Sequence, residues 1–316
     1  MKKKIICLFF LLLMMSGCGD MDSVQEQVEK EYMHSDRLIH AYPGKPDSEV
    51  LSESLGLYME YLLLAGDKQT FQEQVSILEN EFLINENRLS FIQWRLNEKA
   101  TTNALIDDIR ILSVLQRAAD AFENTAYDEL ADKISRSLYS VQMHNNYTVD
   151  YYDWSYSLPA QRLTLSYVTG SQVISEKSVE LLKNVDATQV FFPEYYDTKL
   201  QEYINNDEVH LIDQLLIAIN REKENLHSKS FFYWLKEEWN NEQRLYGRYN
   251  RETKDATVDY ESLAVYYYLQ SYFLLTGEEE MAREVVQQAK NIASEEMLAQ
   301  AHFFDYIHYQ LMLQEQ

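Results

Sequence analysis

Apolar residues recur every three to four positions along most of the chain after Pro46, a spacing that places them on one face of an α-helix. The pattern is clearest where Leu51, Leu55, Tyr58 and Leu62 follow one another. It predicts an all-α chain of antiparallel helices with short connections. The predicted helices cover residues 48–65, 68–84, 101–122, 125–142, 159–169, 171–183, 197–205, 208–224, 228–240, 257–276, 278–293 and 295–313.

Three joints between predicted helices share a glycine followed by an acidic or hydroxyl residue. Gly66, Gly170 and Gly277 each stand where a helix would end, and glycine adopts the positive φ of a helix C-terminus without steric cost. The residue after each glycine suits the N-cap of the next helix. Hairpins of this kind are expected to close into a ring. Longer irregular connections, where binding function tends to sit, are predicted at 85–100, 143–158, 184–196 and 241–256.

Composition and charge exclude several classes of protein. With 28 basic and 51 acidic residues the net charge is −23, so nucleic-acid phosphates would be repelled. Eight glycines and four prolines in 316 residues are too few for a turn-rich β-sandwich or for a nucleotide-binding protein with several glycine loops. Two cysteines exclude a disulfide scaffold and a structural metal site built from cysteines.

The first residues predict export and a lipid anchor. Three lysines precede an apolar run at 5–15, which is too short to span a bilayer and is typical of a secretory signal. The run ends at Met15-Ser16-Gly17-Cys18, which resembles the cleavage box of bacterial lipoproteins. The resemblance implies cleavage before Cys18 and acyl chains that hold the protein on the extracytoplasmic side of the cell membrane. An ordinary signal peptide with a chance cysteine is the alternative.

Two isolated carboxylates in apolar helices are candidates for acid–base chemistry. Glu53 stands near the start of the predicted helix 48–65, and Asp213 is the lone acid in the apolar stretch 210–217. Burial raises the pKa of a carboxyl group, which is what a general acid needs. An ionised carboxylate must instead be paired or face a wet cleft. The structural alternatives are that Glu53 complements the helix dipole and that Asp213 caps its helix or joins an ion pair.

Further acids stand close to aromatic residues. Adjacent carboxylates at the start of the predicted helix 101–122 point in different directions, so they form no dyad by themselves. Sugars present apolar C–H faces to aromatic rings and hydroxyl groups to carboxylates, although core packing is the alternative for each ring. The candidate substrate-binding residues are Trp94, Asp107, Asp108, Arg110, Tyr152 and Asp153.

Other chemistries find little support in the sequence. It contains no glycine-rich phosphate loop, and the only cysteine left after cleavage is the predicted lipid site. The seven histidines lack the paired spacing of metal ligands. We therefore expect neither a metal nor an organic cofactor.

These motifs together resemble glycoside hydrolase family 8, and the resemblance runs from about Val50 to Leu275. The family carries a Ser-Glu pair ahead of a methionine, an Ala-Ser/Thr-Asp-Ala/Gly-Asp signature that runs into an apolar helix, and a later lone aspartate. The matching positions are Ser52, Glu53, Met59, Ala104, Asp108, Ile111, Ala118, Phe122 and Asp213. The likeness is closest to lipoprotein hydrolases that accompany exopolysaccharide synthesis genes in Firmicutes.

Two departures from the family pattern concern the substrate. Ser54 replaces the glycine after the acid, and Ile106 occupies the first aspartate of the signature, which in the family contacts the sugar at the cleavage point. Asp107 follows one residue later, about 100° around the helix. These changes fit a glycan other than cellulose, xylan or chitosan.

The resemblance implies an (α/α)6 barrel over residues 48–316, after a signal at 1–17 and a spacer with an opening helix at 18–47. It implies an inverting endo-glycosidase with Glu53 as acid and Asp213 as base. We interpret the chain as membrane-anchored and its substrate as a secreted polysaccharide such as a biofilm matrix. A non-catalytic glycan-binding lipoprotein on the same barrel and a helical scaffold lipoprotein are the alternatives. An open groove holding both carboxylates favours the enzyme, whereas a filled ring axis favours the scaffold.

Overall fold

The structure of the chain is a computed structural model that describes residues 23–96 and 100–314. The predicted signal segment and Cys18 lie outside the described residues. The α-helices are α1 (Val24–Gln27), α2 (Ser52–Ala65), α3 (Lys68–Ile77), α4 (Leu105–Phe122), α5 (Thr125–Val141), α6 (Glu176–Asn184), α7 (Leu211–Lys223), α8 (Lys229–Glu242), α9 (Leu263–Leu275), α10 (Glu279–Ile292), α11 (Glu295–Leu298) and α12 (Phe303–Gln314). Val28–Tyr32 and Leu78–Phe82 form π-helical turns, and Leu165–Tyr167 forms a 3-10 turn.

Short antiparallel strands fill the long connections. The strands are β1 (Leu83–Glu86), β2 (Leu89–Ile92), β3 (Met143–His144), β4 (Tyr147–Thr148), β5 (Tyr152–Asp153), β6 (Leu158–Pro159), β7 (Arg162–Thr164), β8 (Tyr195–Asp197), β9 (Glu202–Ile204), β10 (Glu208–His210) and β11 (Arg248–Asn250). They pair as β1–β2, β3–β4, β5–β6, β7–β8–β9 and β10–β11.

Burial separates the helices into two layers. Helices α2, α9 and α12 bury side chains on nearly every side, whereas α5 and α10 bury one face and expose the other. The first kind lies inside, where α4, α2, α12, α9 and α7 pack in that order as an inner ring. Helices α3, α5 and α10 return along the outside as partners of α2, α4 and α9. This layout is an (α/α)6 barrel, as expected from the sequence.

Part of the predicted spacer belongs to the barrel core. Val28, Tyr32 and Ile39 are buried in the same hydrophobic cluster as the inner helices. The ring of Tyr32 packs edge-on against Phe303 at 5.0 Å, and its hydroxyl donates a hydrogen bond to the Ala301 carbonyl at 3.0 Å. None of the helices within residues 23–96 and 100–314 has the length and apolar character needed to cross a bilayer.

Two predicted helices, 159–169 and 197–205, are wrong because these residues form the sheet β7–β8–β9. The buried Asp150 explains the first error. Its carboxylate accepts the Thr164 backbone N–H at 2.6 Å and the Arg162 side chain at 2.8 Å. A carboxylate that takes a backbone donor competes with helical hydrogen bonds. Leu163 and Tyr196 then pair across the sheet, and both are buried.

Two of the three glycine joints have the predicted conformation. Gly66 has φ +69° and Gly277 has φ +81°, each just after an inner helix. Gly170 is not among the described glycines with positive φ, and it follows an irregular segment rather than a helix. The three joints are therefore similar in sequence, but the one at Gly170 has a different backbone conformation.

Gly66→Ala is expected to lower the free energy of unfolding by about 1–2 kcal/mol, because a Cβ in the left-handed region clashes with its own backbone. No atom lies within 4 Å of the added Cβ, so the loss comes from backbone conformation alone. Urea unfolding measures it. Gly170→Ala is the matched control, expected to change stability by less than about 0.5 kcal/mol. Equal losses in both variants would contradict the assignment.

Candidate active site

A cleft of about 460 Å³ opens at the end of the barrel where the inner helices begin. The first turns of α2, α4, α7 and α12 contribute to it, together with the residues just before α9. Its polar and aromatic lining includes Glu53, Arg110, Tyr167, His210, Asp213, Glu261, Ser262, Tyr268, His302, Phe304 and Asp305. The barrel axis is thus open at this end, and both candidate carboxylates line the opening.

Glu53 stands at the second position of α2, against the start of α4. The two helices approach closely because Gly56 carries no side chain, and a Cβ there would lie 2.9 Å from Cγ1 of Ile111. The pKa of Glu53 is raised to about 7, chiefly by burial and also by the nearby Asp107 carboxylate, while Arg110 acts in the opposite direction. Glu53 therefore holds its proton to near-neutral pH.

Asp107 and Arg110 form a buried ion pair beside Glu53. Arg110 donates from Nη1 to Asp107 Oδ1 at 2.8 Å, and the Ser52 hydroxyl donates to Oδ2 at 3.2 Å. Only 8% of the Asp107 side chain and 15% of the Arg110 side chain is exposed, so solvent screens this pair weakly. Arg110 reaches the cleft lining, while Asp107 lies behind it.

Tyr268 and His308 support Arg110 from the inner helices α9 and α12. His308 Nδ1 lies 2.7 Å from the Phe304 carbonyl, which can only accept, so Nδ1 carries the hydrogen. Nε2 then accepts from the Tyr268 hydroxyl at 3.0 Å. Burial lowers the pKa of His308 to about 3, and the positive Arg110 lowers it as well. The imidazole is therefore neutral and fixed in one tautomer.

Asp213 has a wetter environment in the first turn of α7. The Ser166 hydroxyl donates to its Oδ1 at 2.7 Å, and His210 Nδ1 lies 3.6 Å from its Oδ2. About a third of its side chain is exposed, at 35%. The cleft thus combines one buried carboxyl group that keeps its proton with one partly exposed carboxyl group that accepts a hydrogen bond.

Asp107→Asn is expected to lower the pKa of Glu53, because it removes a neighbouring negative charge and leaves Arg110 unneutralised. Carboxyl-carbon NMR of Glu53 should show a titration near pH 7 in the unmodified chain and at lower pH in the variant. Asp120→Asn, on an exposed part of the same helix, is the control and should leave the titration unchanged. A titration that stays in place in Asp107→Asn would refute the coupling.

Comparison with known proteins places the chain in a family. No family model matches its sequence. A solved structure does: PssZ from Listeria monocytogenes is 33% identical and superposes with a TM-score of 0.86, covering 93% of this chain and 94% of PssZ. The chain belongs to the PssZ family.

A curated relative of this PssZ-family chain is YdaJ of Bacillus subtilis (strain 168), which is named as a candidate lipoprotein. It is 33% identical over 230 residues, and the match covers 68% of this chain and 62% of YdaJ. The chain thus spans less than two thirds of that relative. Endoglucanase Cel10 from Klebsiella pneumoniae, a family 8 glycosyl hydrolase, superposes with a TM-score of 0.64 at 14% identity, covering 92% of this chain and 97% of Cel10. That likeness confirms the predicted (α/α)6 fold.

Several predicted substrate-binding residues of the PssZ-family chain lie away from the cleft lining. Tyr152 is buried and stacks on Phe91 at 5.3 Å, so its ring serves the core. Asp153 accepts hydrogen bonds from Ser155 in a surface turn. Trp94 is half-buried, and its carbonyl accepts the Ser52 backbone N–H. Of the six candidates, Arg110 is the one among the cleft-lining residues.

Asp108 is fully buried behind the cleft, in a polar network. The Asn103 side-chain amide donates hydrogen bonds to Asp108 Oδ2 and, at 2.6 Å, to Gln142 Oε1. The other carboxylate oxygen of Asp108, Oδ1, has no hydrogen-bond partner among the described residues. Burial raises the pKa of Asp108 well above its usual range, and Asp107 adds to the rise. Asp108 therefore supports the start of α4 and does not face a ligand in the cleft.

Asp108→Asn should flatten the pH dependence of stability. A carboxyl whose pKa is higher in the folded chain binds more protons there, so stability falls as pH rises above the unfolded value of about 4. The slope from this group is at most about 1.4 kcal/mol per pH unit. Urea unfolding at pH 5 and pH 8 should show a smaller fall in Asp108→Asn than in the parent or in Asp120→Asn. An unchanged slope would show that Asp108 is ionised in the fold.

Sequence reasoning missed several residues of this site. Tyr268 lies within a continuous apolar run and His308 within an aromatic one, a setting that gives no sequence signal of a functional residue. Tyr167, Glu261 and Asp305 follow no motif. Among the described residues no cluster of three or more His, Cys, Asp or Glu side chains could hold a metal ion.

Proposed function

We propose that the chain is an exported, lipid-anchored glycoside hydrolase that cleaves a secreted polysaccharide with inversion. The observation that carries the proposal is the pairing of Glu53 and Asp213 in one open cleft, in opposite environments, on a barrel shared with a family 8 glycosyl hydrolase. Enzymes of this kind need one protonated and one ionised carboxyl group at the same pH. The buried Glu53 keeps its proton to near-neutral pH, and the partly exposed Asp213 is the group proposed for the second role.

In the proposed reaction Glu53 gives its proton to the glycosidic oxygen as the bond to the anomeric carbon breaks. Asp213 takes a proton from a water molecule, whose oxygen attacks the opposite face of the sugar. Inverting enzymes leave room for this water by holding the two carboxyl groups about 6.5–9.5 Å apart. The Ser166 hydrogen bond to Oδ1 leaves Oδ2 of Asp213 for the water, next to His210.

Ionised Glu53 must be reprotonated before the next turnover. Because its pKa is about 7, the protonated fraction is substantial near neutral pH and falls above it. The proposal therefore includes an activity that declines on the alkaline side of neutrality. Asp107 contributes to the raised pKa of Glu53 by placing a negative charge beside it.

The lipoprotein box that ends at Cys18 and the similarity to YdaJ support attachment to the membrane. Acyl chains on Cys18 would hold the barrel outside the cell, where secreted polysaccharide is the accessible glycan. The net charge of −23 keeps the body of the protein away from anionic lipid. A polymer substrate also fits a cleft that is open along the barrel end.

A non-catalytic glycan-binding protein is the second candidate, and Ile106 is the observation that favours it. Ile106 lines the cleft where family 8 signatures carry an aspartate that contacts the sugar. An apolar side chain there removes a hydrogen bond to the substrate. It leaves Glu53 and Asp213 in place, so the enzyme remains the first candidate.

Release of new reducing ends from the polysaccharide matrix of the parent bacterium tests the proposal. The exported chain should generate reducing ends, and NMR of the first products should show the anomer opposite to that of the cleaved bond. A Glu53→Gln, Asp213→Asn double variant is the control. Binding to the matrix without release would support the second candidate. Retention of configuration would overturn the inverting mechanism.

A further inference from the structure

A second cavity, of about 670 Å³, lies beside the cleft between α4, α7 and α9. It shares Ile106, Arg110, Leu216 and Tyr268 with the cleft. On each of the three helices it reaches lining residues beyond the last one of the cleft, namely Ser113 and Gln116 on α4, Ile219, Asn220 and Lys223 on α7, and Ser271 on α9, so it extends toward the C-terminal ends. Its volume lies within the usual range of small-molecule sites.

The cavity exists because the inner ring has no long helix between α4 and α7 among the described residues. The chain there forms strand β7, a single 3-10 turn that packs on α7, and a bend. Residues 169–172 of the bend line the cavity.

The lining of the second cavity differs chemically from that of the cleft. Hydroxyl and amide groups dominate it, and none of its described lining residues carries a carboxylate. The cleft, by contrast, is lined by four carboxylates, from Glu53, Asp213, Glu261 and Asp305. The polar side chains of the second cavity include Ser113, Gln116, Gln172, Asn220 and Ser271.

This lining matches the surface of a neutral sugar. Amide and hydroxyl side chains both donate and accept hydrogen bonds, as sugar hydroxyls do. The rings of Tyr267 and Tyr268 offer an apolar contact for C–H faces. Lys223 lies at the rim of the cavity. Glu224 Oε1 lies 3.9 Å from the point where a Cβ on the rim residue Gly170 would stand, so the opening carries charges of both signs.

We propose that the second cavity is a saccharide site, separate from the cleft, that takes a neutral mono- or disaccharide and carries no hydrolytic groups. Its ligand class rests on the proposed function, since the sugar units would come from the same polysaccharide. A sugar bound there contacts Arg110 and Tyr268, which also line the cleft. The two sites therefore share a wall through which occupancy of one can affect the other.

Isothermal titration calorimetry on the exported chain carrying Glu53→Gln tests the site. The probes are glucose, galactose, N-acetylglucosamine, N-acetylmannosamine, cellobiose and lactose, each to 20 mM. At least one should bind with a measurable isotherm. Ser113→Trp, which fills the cavity from an exposed position on α4, should weaken that binding tenfold or more. Ser140→Trp, on the exposed face of α5, is the matched control and should stay within twofold.

The outcomes separate this site from the cleft. Absence of binding by all six sugars overturns the proposal, and so does binding that Ser113→Trp leaves unchanged. Circular dichroism of Ser113→Trp shows whether the variant is folded, and Gln116→Leu in the same background gives a second test with a smaller change. Because binding is measured without turnover, a failure of the glycosidase proposal would appear in the reducing-end assay and leave this result intact.

Discussion

Glu53→Gln is expected to lower kcat on the polysaccharide by about 10²–10⁴-fold, the range contributed by general acid catalysis. The amide has nearly the shape of the carboxyl group but cannot deliver a proton to the leaving oxygen. Its neighbours on α2 and α4 keep their packing, so the thermal unfolding midpoint should change little. Glu60→Gln, on the same helix beside Arg117, is the matched control and should keep full activity.

The leaving group distinguishes loss of the proton donor from general damage. An aryl glycoside with a nitrophenolate leaving group needs little protonation, so Glu53→Gln should lose far less activity on it than on the polymer. The decline in activity above about pH 7, which reflects loss of the Glu53 proton, should also disappear with this substrate. Equal losses on both substrates would contradict the assignment of Glu53 as acid.

Asp213→Asn is expected to lower kcat by a similar factor, about 10²–10⁴-fold, because it removes the group proposed to take the proton of the attacking water. The asparagine can still accept the Ser166 hydrogen bond, so the first turn of α7 should remain intact. A better leaving group should not restore activity, since the missing step is activation of water. The two variants should therefore respond in opposite ways to the aryl substrate, which distinguishes the role of acid from the role of base.

Two controls accompany the Asp213 prediction. Asp207→Asn changes an exposed acid of the preceding loop and should keep full activity. Ser166→Ala removes the hydrogen bond but not the base and should lower kcat by a smaller factor than Asp213→Asn. Full turnover by Asp213→Asn would require a different base and would overturn the proposed mechanism.

Much of the helical layer could be predicted because its cause is local. The apolar spacing of α4, α5, α7 and α10 follows from which face each helix buries, and the predicted spans of these helices and of α2 and α9 overlap the observed ones. Glu53 and Asp213 were recognisable for a related reason: a lone acid in an apolar helix must have a specific environment. Both now line the same cleft, although the roles of acid and base stay predictions.

The errors arose where a distant residue competes with local preference. The residues 159–169 have helical spacing, yet Asp150 takes the backbone donor of Thr164 and the strand follows. Tyr152 stands beside an acid, as in a sugar site, but Phe91 stacks on it from another strand. Neither contact can be predicted from the spacing of apolar residues along the chain.

The chain sequence was sufficient for the helical periodicity and for singling out the two carboxylates, because each depends on neighbours within a few turns, whereas the export signal stays a prediction. Only the folded barrel shows the contacts that hold the site residues, which are Arg110 with Asp107, Tyr268 with His308, and Asp213 with Ser166. The second cavity also appeared only there. Helices far apart in sequence meet at the barrel axis, and the burial and charge that they create at Glu53 set its pKa. Such long-range packing has no signature in local spacing.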